Sequence, residues 1–168
     1  MQLVILTGAS GSGKTAIAEA IASERLPLAE VLHFDRIGVP PLEERLGLWG
    51  PEEAWQRAMT FEWMGRISRM AELNHPVLFE GQMRLAFVRE SLSSVGLTGA
   101  RIILVDCDDA TRAYRLITHR RRPDLANSKM MIWAAYLRKE AKEISCEVLD
   151  TSGASLESSV LRVRRYLE

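Results

Sequence analysis

The sequence predicts an α/β fold in which helices cover both faces of a parallel sheet. Short apolar β-type runs alternate with helical patterns along the chain, which is typical of this class. The runs are apolar throughout, as expected of strands whose two faces are both buried. The chain has 168 residues, of which 47% are apolar and 26% are charged, and this composition predicts one globular domain over residues 1–168.

Five strands and six helices account for most of the chain. The predicted strands cover residues 2–6, 30–34, 76–79, 101–105 and 146–149. The predicted helices cover residues 14–24, 52–73, 84–93, 109–118, 127–144 and 156–167. An apolar stripe at helical spacing on the second helix favours core packing for Trp55, Met59, Trp63, Ile67 and Met70. Segments 36–50 and 119–126 are predicted to be irregular, and such loops commonly carry substrate contacts.

A glycine-rich segment between the first strand and the first helix carries the strongest functional signal. It matches the pattern G-x-x-x-x-G-K-[ST] and reads Gly8, Ala9, Ser10, Gly11, Ser12, Gly13, Lys14, Thr15. Glycines allow turns that aim successive N–H groups at an anion, and Lys14 adds a positive charge. The Thr15 hydroxyl suits Mg²⁺, and the positive end of the following helix faces the phosphates. The segment therefore predicts a phosphate-binding loop for a nucleoside triphosphate.

Charge and cysteine usage argue against several classes of protein. Lys+Arg and Asp+Glu number 22 each, which counts against a protein that coats nucleic acid or an anionic membrane. Cys107 and Cys146 form no metal-binding pair and suit a reducing compartment. The longest apolar run, residues 130–137, is too short for a membrane span, and no secretion signal is recognised. We therefore expect a cytoplasmic protein without membrane contact, whose oligomeric state the sequence does not indicate.

The order of the motifs resembles that of the small P-loop kinases with the adenylate-kinase-like fold, among them shikimate and gluconate kinases. After the P-loop come a second strand that ends near Asp35, a third strand that ends in Glu80 and Gly81, and an arginine-rich segment beyond the fourth strand. The resemblance covers nearly the whole chain. It implies a five-stranded sheet in the order 2-3-1-4-5, with Mg²⁺ and ATP as the phosphoryl donor.

Polar residues at the strand ends are candidates for the acceptor side. In several members of the superfamily, an Asp at the place of Asp35 takes the proton of the acceptor hydroxyl or holds Mg²⁺ through water; a turn cap is the alternative. Glu80 is a candidate for Mg²⁺-bound water or for the acceptor, or else a polar strand end without a function. Candidates for substrate binding on the same rim are Arg36, Gln82 and Arg84. Asp106 is interpreted as a turn residue before a helix.

An arginine-rich segment, about residues 115–127, resembles the mobile lid of these kinases. Arg115 precedes the dipeptide Arg122-Pro123 by seven positions, as in shikimate-kinase-like lids, where the first arginine lies against adenine and the second reaches the phosphates. The resemblance implies nucleotide contacts for Arg115 and for Arg112 on the same helical face, and a catalytic role for Arg122. It also places adenine near Ser152, after the fifth strand. A solvated basic loop is the alternative.

These features together predict ATP- and Mg²⁺-dependent phosphoryl transfer to a small-molecule acceptor. A hydroxyl acceptor is favoured because Asp35 is placed as a proton acceptor, and the acceptor is expected between residues 36–50, the start of the long helix and the rim at residues 82–84. Two alternatives stay open: a nucleoside or polynucleotide 5′-hydroxyl kinase, and an ATPase switch without an acceptor. A neutral chain without an aromatic and basic groove counts against a nucleic-acid partner.

Overall fold

The computed structural model describes residues 1–24, 28–49, 51–70 and 75–168. Its strands are β1 Leu3–Thr7, β2 Glu30–His33, β3 Val77–Gly81, β4 Arg101–Asp106 and β5 Glu147–Asp150. All pairings are parallel, in the order β2-β3-β1-β4-β5. The predicted fold class and strand order are therefore confirmed. The central strand β1 is buried along its whole length, as its apolar sequence requires.

Seven α-helices surround the described part of the sheet. They are α1 Lys14–Ala22, α2 Leu42–Trp49, α3 Glu52–Met70, α4 Leu85–Ser94, α5 Asp109–Tyr114, α6 Ser128–Glu143 and α7 Leu156–Arg164. Two 3₁₀ turns, Phe34–Ile37 and Pro123–Leu125, and a π turn, Arg115–His119, complete the backbone. Residues 71–73 of the predicted long helix and residue 50 of the predicted loop lie outside the described residues. None of the helices in the described ranges combines the length and the apolar character needed to span a bilayer.

The main departure from the sequence prediction is helix α2. The prediction of an irregular segment over residues 36–50 is wrong for Leu42–Trp49, which are helical. Pro41 directly precedes the helix, where its missing N–H costs nothing, and Glu43 and Glu44 in the first turn suit the helix dipole. The prolines therefore mark a helix start rather than a long loop. No side chain of α2 is buried, so the helix shows no clear apolar stripe.

The core lies on both faces of the sheet. On one face, Trp55, Trp63 and Ile67 of α3 are buried against β3, which confirms the core interpretation of the α3 stripe. On the other face, the apolar side of α1 packs with α7 against β1 and β4. Because the strands are parallel, their carboxyl ends meet at one edge, and this edge carries the P-loop, Asp35 and Glu80.

Gly81 serves the packing of this edge. A Cβ at Gly81 would lie 2.4 Å from the Cβ of Phe34, far inside van der Waals contact. Gly81 therefore allows a close approach of β3 to the turn after β2. The small residue lets Phe34 fill the core beneath Asp35.

Candidate active site

The P-loop forms an anion cradle at the carboxyl end of β1. Gly11 and Gly13 have φ values of 82° and 98°, a left-handed conformation that glycine adopts without strain. The Ser12 hydroxyl is buried and has no hydrogen-bond partner among the described residues. An unpartnered buried donor beside a run of backbone N–H groups fits an anionic ligand such as a triphosphate.

Lys14 is the first residue of α1. Its side chain is buried, with 5% of the residue exposed. Burial lowers the pKa of Lys14 below its usual value; the Glu80 carboxylate opposes this shift and the Arg120 guanidinium adds to it. A buried ammonium with a lowered pKa gains from a phosphate that replaces its lost hydration.

Glu80 connects the P-loop with the end of β2. Its carboxylate accepts a hydrogen bond from the Thr15 hydroxyl at 3.2 Å and lies 4.0 Å from the Lys14 ammonium. Oxygen ligands of this kind suit Mg²⁺, which takes one or two protein ligands and completes its shell with phosphate and water. Within the described ranges, no group of three or more His, Cys, Asp and Glu side chains is placed to hold a metal. Thr15 and Glu80 therefore fit a magnesium ion that arrives with its nucleotide.

His33 is a site residue that the sequence interpretation missed. Its Nδ1 lies 2.7 Å from the Glu80 carboxylate, because His33 and Glu80 are partners in the β2–β3 register. Side chains at paired positions point to the same face of a sheet. The available signal was the position of His33 two residues before Asp35, at the end of a strand.

Asp35 lies in the 3₁₀ turn after β2 and lines a cavity of about 440 Å³. Its side chain is exposed, and its carboxylate makes no hydrogen bond or ion pair with the described residues. The charge of Asp35 acts on Lys14, where it favours the ammonium form and so tends to raise the pKa of Lys14. Arg36 is also exposed but does not line this cavity. Asp35 thus has a free carboxylate close to the phosphate cradle.

Arg112 lies behind the P-loop rather than in a nucleotide cavity. The residue is fully buried, and its guanidinium donates to the carbonyl oxygens of Ser10 and Cys107 at 3.0 and 3.1 Å and to the Asp106 carboxylate. The expected nucleotide contact is therefore replaced by a structural role. The turn role expected of Asp106 is likewise replaced by ion pairs with Arg112 and Arg138.

Removing the Arg112 guanidinium should destabilise the protein. Arg112→Met leaves the buried Asp106 carboxylate with Arg138 alone, so we expect a loss of about 3 kcal/mol in the free energy of unfolding, measured by urea denaturation. The control is Arg138→Met, whose side chain is 40% exposed, with an expected loss below about 1 kcal/mol. Equal losses in the two variants would contradict the structural role of Arg112.

A second cavity, of about 550 Å³, opens between the P-loop and the segment after β5. Arg115 lines it and donates to the Thr151 hydroxyl and carbonyl oxygens at 2.8 and 2.7 Å. The Thr151 hydroxyl in turn donates to the Ser12 carbonyl oxygen at 2.7 Å. Ser152 points away from this cavity, since its hydroxyl bonds to Asp150 and to the N–H of Asp108. The wall after β5 is thus formed by Thr151 and residues 154–156 instead of Ser152.

The arginine-rich segment begins with the π turn Arg115–His119. Its hydrogen bond runs from the Arg120 N–H to the Arg115 carbonyl oxygen at 3.0 Å, one residue longer than an α-helical bond. The longer turn brings Arg115, His119 and Arg120 to the same cavity wall. Arg121 then adopts a positive φ of 52°, which redirects the chain.

Arg122 does not line the cavity of Arg115. Its guanidinium binds Asp124 in a bidentate pair, at 2.9 and 2.7 Å, and its side chain is 56% exposed. The hydrogen bonds that Arg122 donates to Asp124 raise the pKa of Arg122 above its usual value. The sequence predicts Arg122 at the phosphates, whereas Arg120 is the residue that lines the same cavity as Lys14.

The cavity of Asp35 is lined by residues that follow β2 and β3, and the cavity of Arg115 by residues that follow β5. Because β1 lies between these strands in the sheet, the two cavities are on opposite sides of the P-loop. The Gln82 side chain donates to the Ser10 hydroxyl at 3.2 Å and accepts from the Trp133 indole at 3.1 Å. Arg84 also lines this cavity, as do Glu53, Trp55 and Gln56 of α3. Gln82 and Arg84 therefore lie where the sequence predicts the acceptor rim, with Trp133 of α6 as an added wall.

Solved structures with the same fold are found across the whole chain. A shikimate kinase from Acinetobacter baumannii, in complex with shikimate, is 16% identical, with 98% of this chain and 92% of that chain covered and a TM-score of 0.65. A sugar kinase from Janibacter sp. HTCC2649 is 19% identical over 99% and 94%, with a TM-score of 0.65. Deoxyadenosine kinase from M. mycoides with bound dATP is 13% identical over 98% of each chain, with a TM-score of 0.61. No family model and no curated protein matches the sequence.

Proposed function

We propose, from the P-loop kinase fold of this chain, that the protein transfers the γ-phosphoryl group of ATP to a hydroxyl of a small molecule, with Mg²⁺. The observation that carries the proposal is the presence of two cavities on opposite sides of one phosphate cradle. One cavity contains Lys14, Thr15 and Arg115, and the other contains Asp35. A donor and an acceptor can therefore occupy the protein together, which an ATPase alone does not need.

On the donor side, the P-loop amides and Lys14 bind the phosphates, and Arg115 lies beside the nucleoside. Thr15 would hold Mg²⁺ together with Glu80 through water, and the ion would supply neutralisation of the phosphate charge. Glu80 is kept in place by His33. The sugar and shikimate kinases of similar fold, named for small-molecule acceptors, support the assignment of the Asp35 cavity to an acceptor.

On the acceptor side, Asp35 accepts the hydroxyl proton. As the acceptor oxygen forms its bond to the γ-phosphorus, the bond from that phosphorus to the bridging oxygen breaks and ADP leaves. The Asp35 carboxylate is free to receive the proton because no described residue competes for it. Arg120, on the lid, lies near enough to Lys14 to act on the charge of the transferring group.

The test is a phosphorylation screen read by mass spectrometry. We expect one acceptor in a library of small alcohols to gain a phosphate group in equal amount to the ADP formed, and we expect an excess of EDTA to abolish the transfer. ADP formation without a phosphorylated product would instead favour the ATPase switch. Phosphate appearing on an oligonucleotide 5′ end would favour the polynucleotide kinase.

We expect the protein to be located in the cytoplasm. Cys107 and Cys146 are both free thiols, and burial raises the pKa of each, which keeps them in the unreactive thiol form. Two unpaired thiols accord with a reducing compartment such as the cytoplasm.

A further inference from the structure

Aromatic and apolar side chains form part of the walls of the acceptor cavity. Three elements each contribute a ring: Phe34 after β2, Trp55 on α3 and Trp133 on α6. Val39 and Met130 extend the apolar surface. Trp133 is stacked on Tyr136, with the ring planes 9° apart and the centroids 5.5 Å apart, so the indole is held in a fixed orientation. Rigid aromatic walls favour a ligand with a flat apolar surface of its own.

The polar groups of this cavity already have partners within the protein. The Gln82 carboxamide is fixed between Ser10 and Trp133, and the Gln56 carboxamide bonds to the Gln82 carbonyl oxygen and the Arg84 N–H. Orientation of a ligand by these amides would require existing hydrogen bonds to be exchanged. Phe34 and Trp55 are buried, whereas Trp133 is partly exposed. What the cavity offers without such a cost is therefore the indole of Trp133 and the Asp35 carboxylate.

The charges of the cavity disfavour an anionic acceptor. Arg84 forms an ion pair with Glu53 at 2.8 Å and bonds to the Tyr136 hydroxyl at 3.3 Å. Arg45 lies over the Trp55 ring, 5.0 Å from its centroid. A carboxylate on the acceptor would face Asp35 and Glu53 and would have to take Arg84 from Glu53. A neutral ligand avoids that exchange.

We propose that the acceptor is an uncharged alcohol that carries a planar ring, a class that includes nucleosides and aryl alcohols. The inference rests on the proposed function for the hydroxyl, and on the walls of the cavity for the ring. The ring stacks on Trp133, and the hydroxyl reaches Asp35 beside the phosphate cradle. Hydroxy acids are discriminated against, because their carboxylate would face Asp35 and Glu53 and would compete with Glu53 for Arg84.

Calorimetric titration of the full chain, saturated with Mg-ADP, tests this inference. One panel contains nucleosides and aryl methanols, and the other contains gluconate and cyclic hydroxy acids. We expect the best ring alcohol to bind at least about tenfold more tightly than any hydroxy acid, the scale of one stacking contact. Tighter binding of a hydroxy acid, or binding by neither panel, overturns the inference.

The same panels with ATP separate this inference from the proposed function. Ring alcohols that bind but gain no phosphate contradict the kinase and leave the acceptor class standing. A phosphorylated hydroxy acid contradicts the acceptor class and leaves the kinase standing.

A matched pair of variants isolates the ring surface of Trp133. Trp133→Phe and Trp133→Leu both lose the hydrogen bond to Gln82, but only the first keeps an aromatic face. We expect Trp133→Leu to weaken binding of the ring alcohol by roughly tenfold relative to Trp133→Phe. The affinity for Mg-ADP, measured on both, reports whether each variant is folded. Equal affinities of the two variants for the ring alcohol would contradict stacking on this residue.

Discussion

An Asp35→Asn variant is expected to bind Mg-ATP almost as tightly as the wild-type protein and to transfer the phosphoryl group about 10²–10⁴-fold more slowly. The amide keeps the size of the side chain but accepts a proton far less readily than a carboxylate. Asp35 is exposed and makes no hydrogen bond or ion pair with the described residues, so the change should not disturb the fold. Single-turnover assays with the acceptor found in the screen, alongside nucleotide titration, measure the two quantities separately.

Lys14→Ala is the contrasting variant. Lys14 belongs to the phosphate cradle, so its loss should weaken nucleotide binding as well as turnover. The pair separates a residue that acts on the acceptor from one that acts on the donor. An Asp35→Asn variant with wild-type turnover would show that another group receives the proton and would leave Asp35 a turn residue.

The fold could be predicted from the sequence because its signals are local. Strands that are apolar throughout indicate a sheet covered on both faces, and the P-loop is recognised by residues that are contiguous in the chain. Strand order could not be derived from such patterns and came from the resemblance. Helix α2 was missed because none of its side chains is buried, so no stripe reveals its period.

The site was predicted less completely because its contacts join distant parts of the chain. His33 and Glu80 are in contact because they are paired in the register of β2 and β3. The residues around His33 in the sequence do not indicate that Glu80 is its partner. Arg112 and Arg115 have the expected spacing for one helical face, yet one is buried behind the P-loop and the other lines the cavity. A spacing shows which side chains are neighbours but not which of them faces a ligand.

The position of Arg120 likewise could not be predicted from the spacing of residues, and we expect this residue to have a larger effect on catalysis. The spacing from Arg115 predicts Arg122 at the phosphates, but a π turn shifts the phase of the chain by one residue before the lid. Side chains that follow a π turn point to a different side from those expected for an α-helix. A hydrogen bond of this type leaves no reliable mark in the sequence, since it depends on how residues 115–120 close over the P-loop.

We therefore expect Arg120→Ala to lower kcat by about 10³-fold, the loss that follows removal of an arginine from a transferring phosphoryl group. Arg120 lines the donor cavity and acts electrostatically on Lys14, so we propose it as the lid arginine that meets the γ-phosphate. Arg120→Lys should recover only part of the rate, because an ammonium lacks the bidentate fork of a guanidinium. Steady-state assays at saturating ATP measure the effect on kcat apart from nucleotide affinity.

Arg122→Ala is the matched control, since it removes a neighbouring arginine of the same lid. Arg122 is bound to Asp124 on the surface, and an exposed pair of this kind contributes about 0–1 kcal/mol to stability. We expect this variant to keep turnover near the wild-type value. The reverse pattern, with a large loss in Arg122→Ala and a small one in Arg120→Ala, would mean that the lid rearranges when ATP binds. Arg122 would then leave Asp124 for the phosphates, and the spacing from Arg115 would be the better guide.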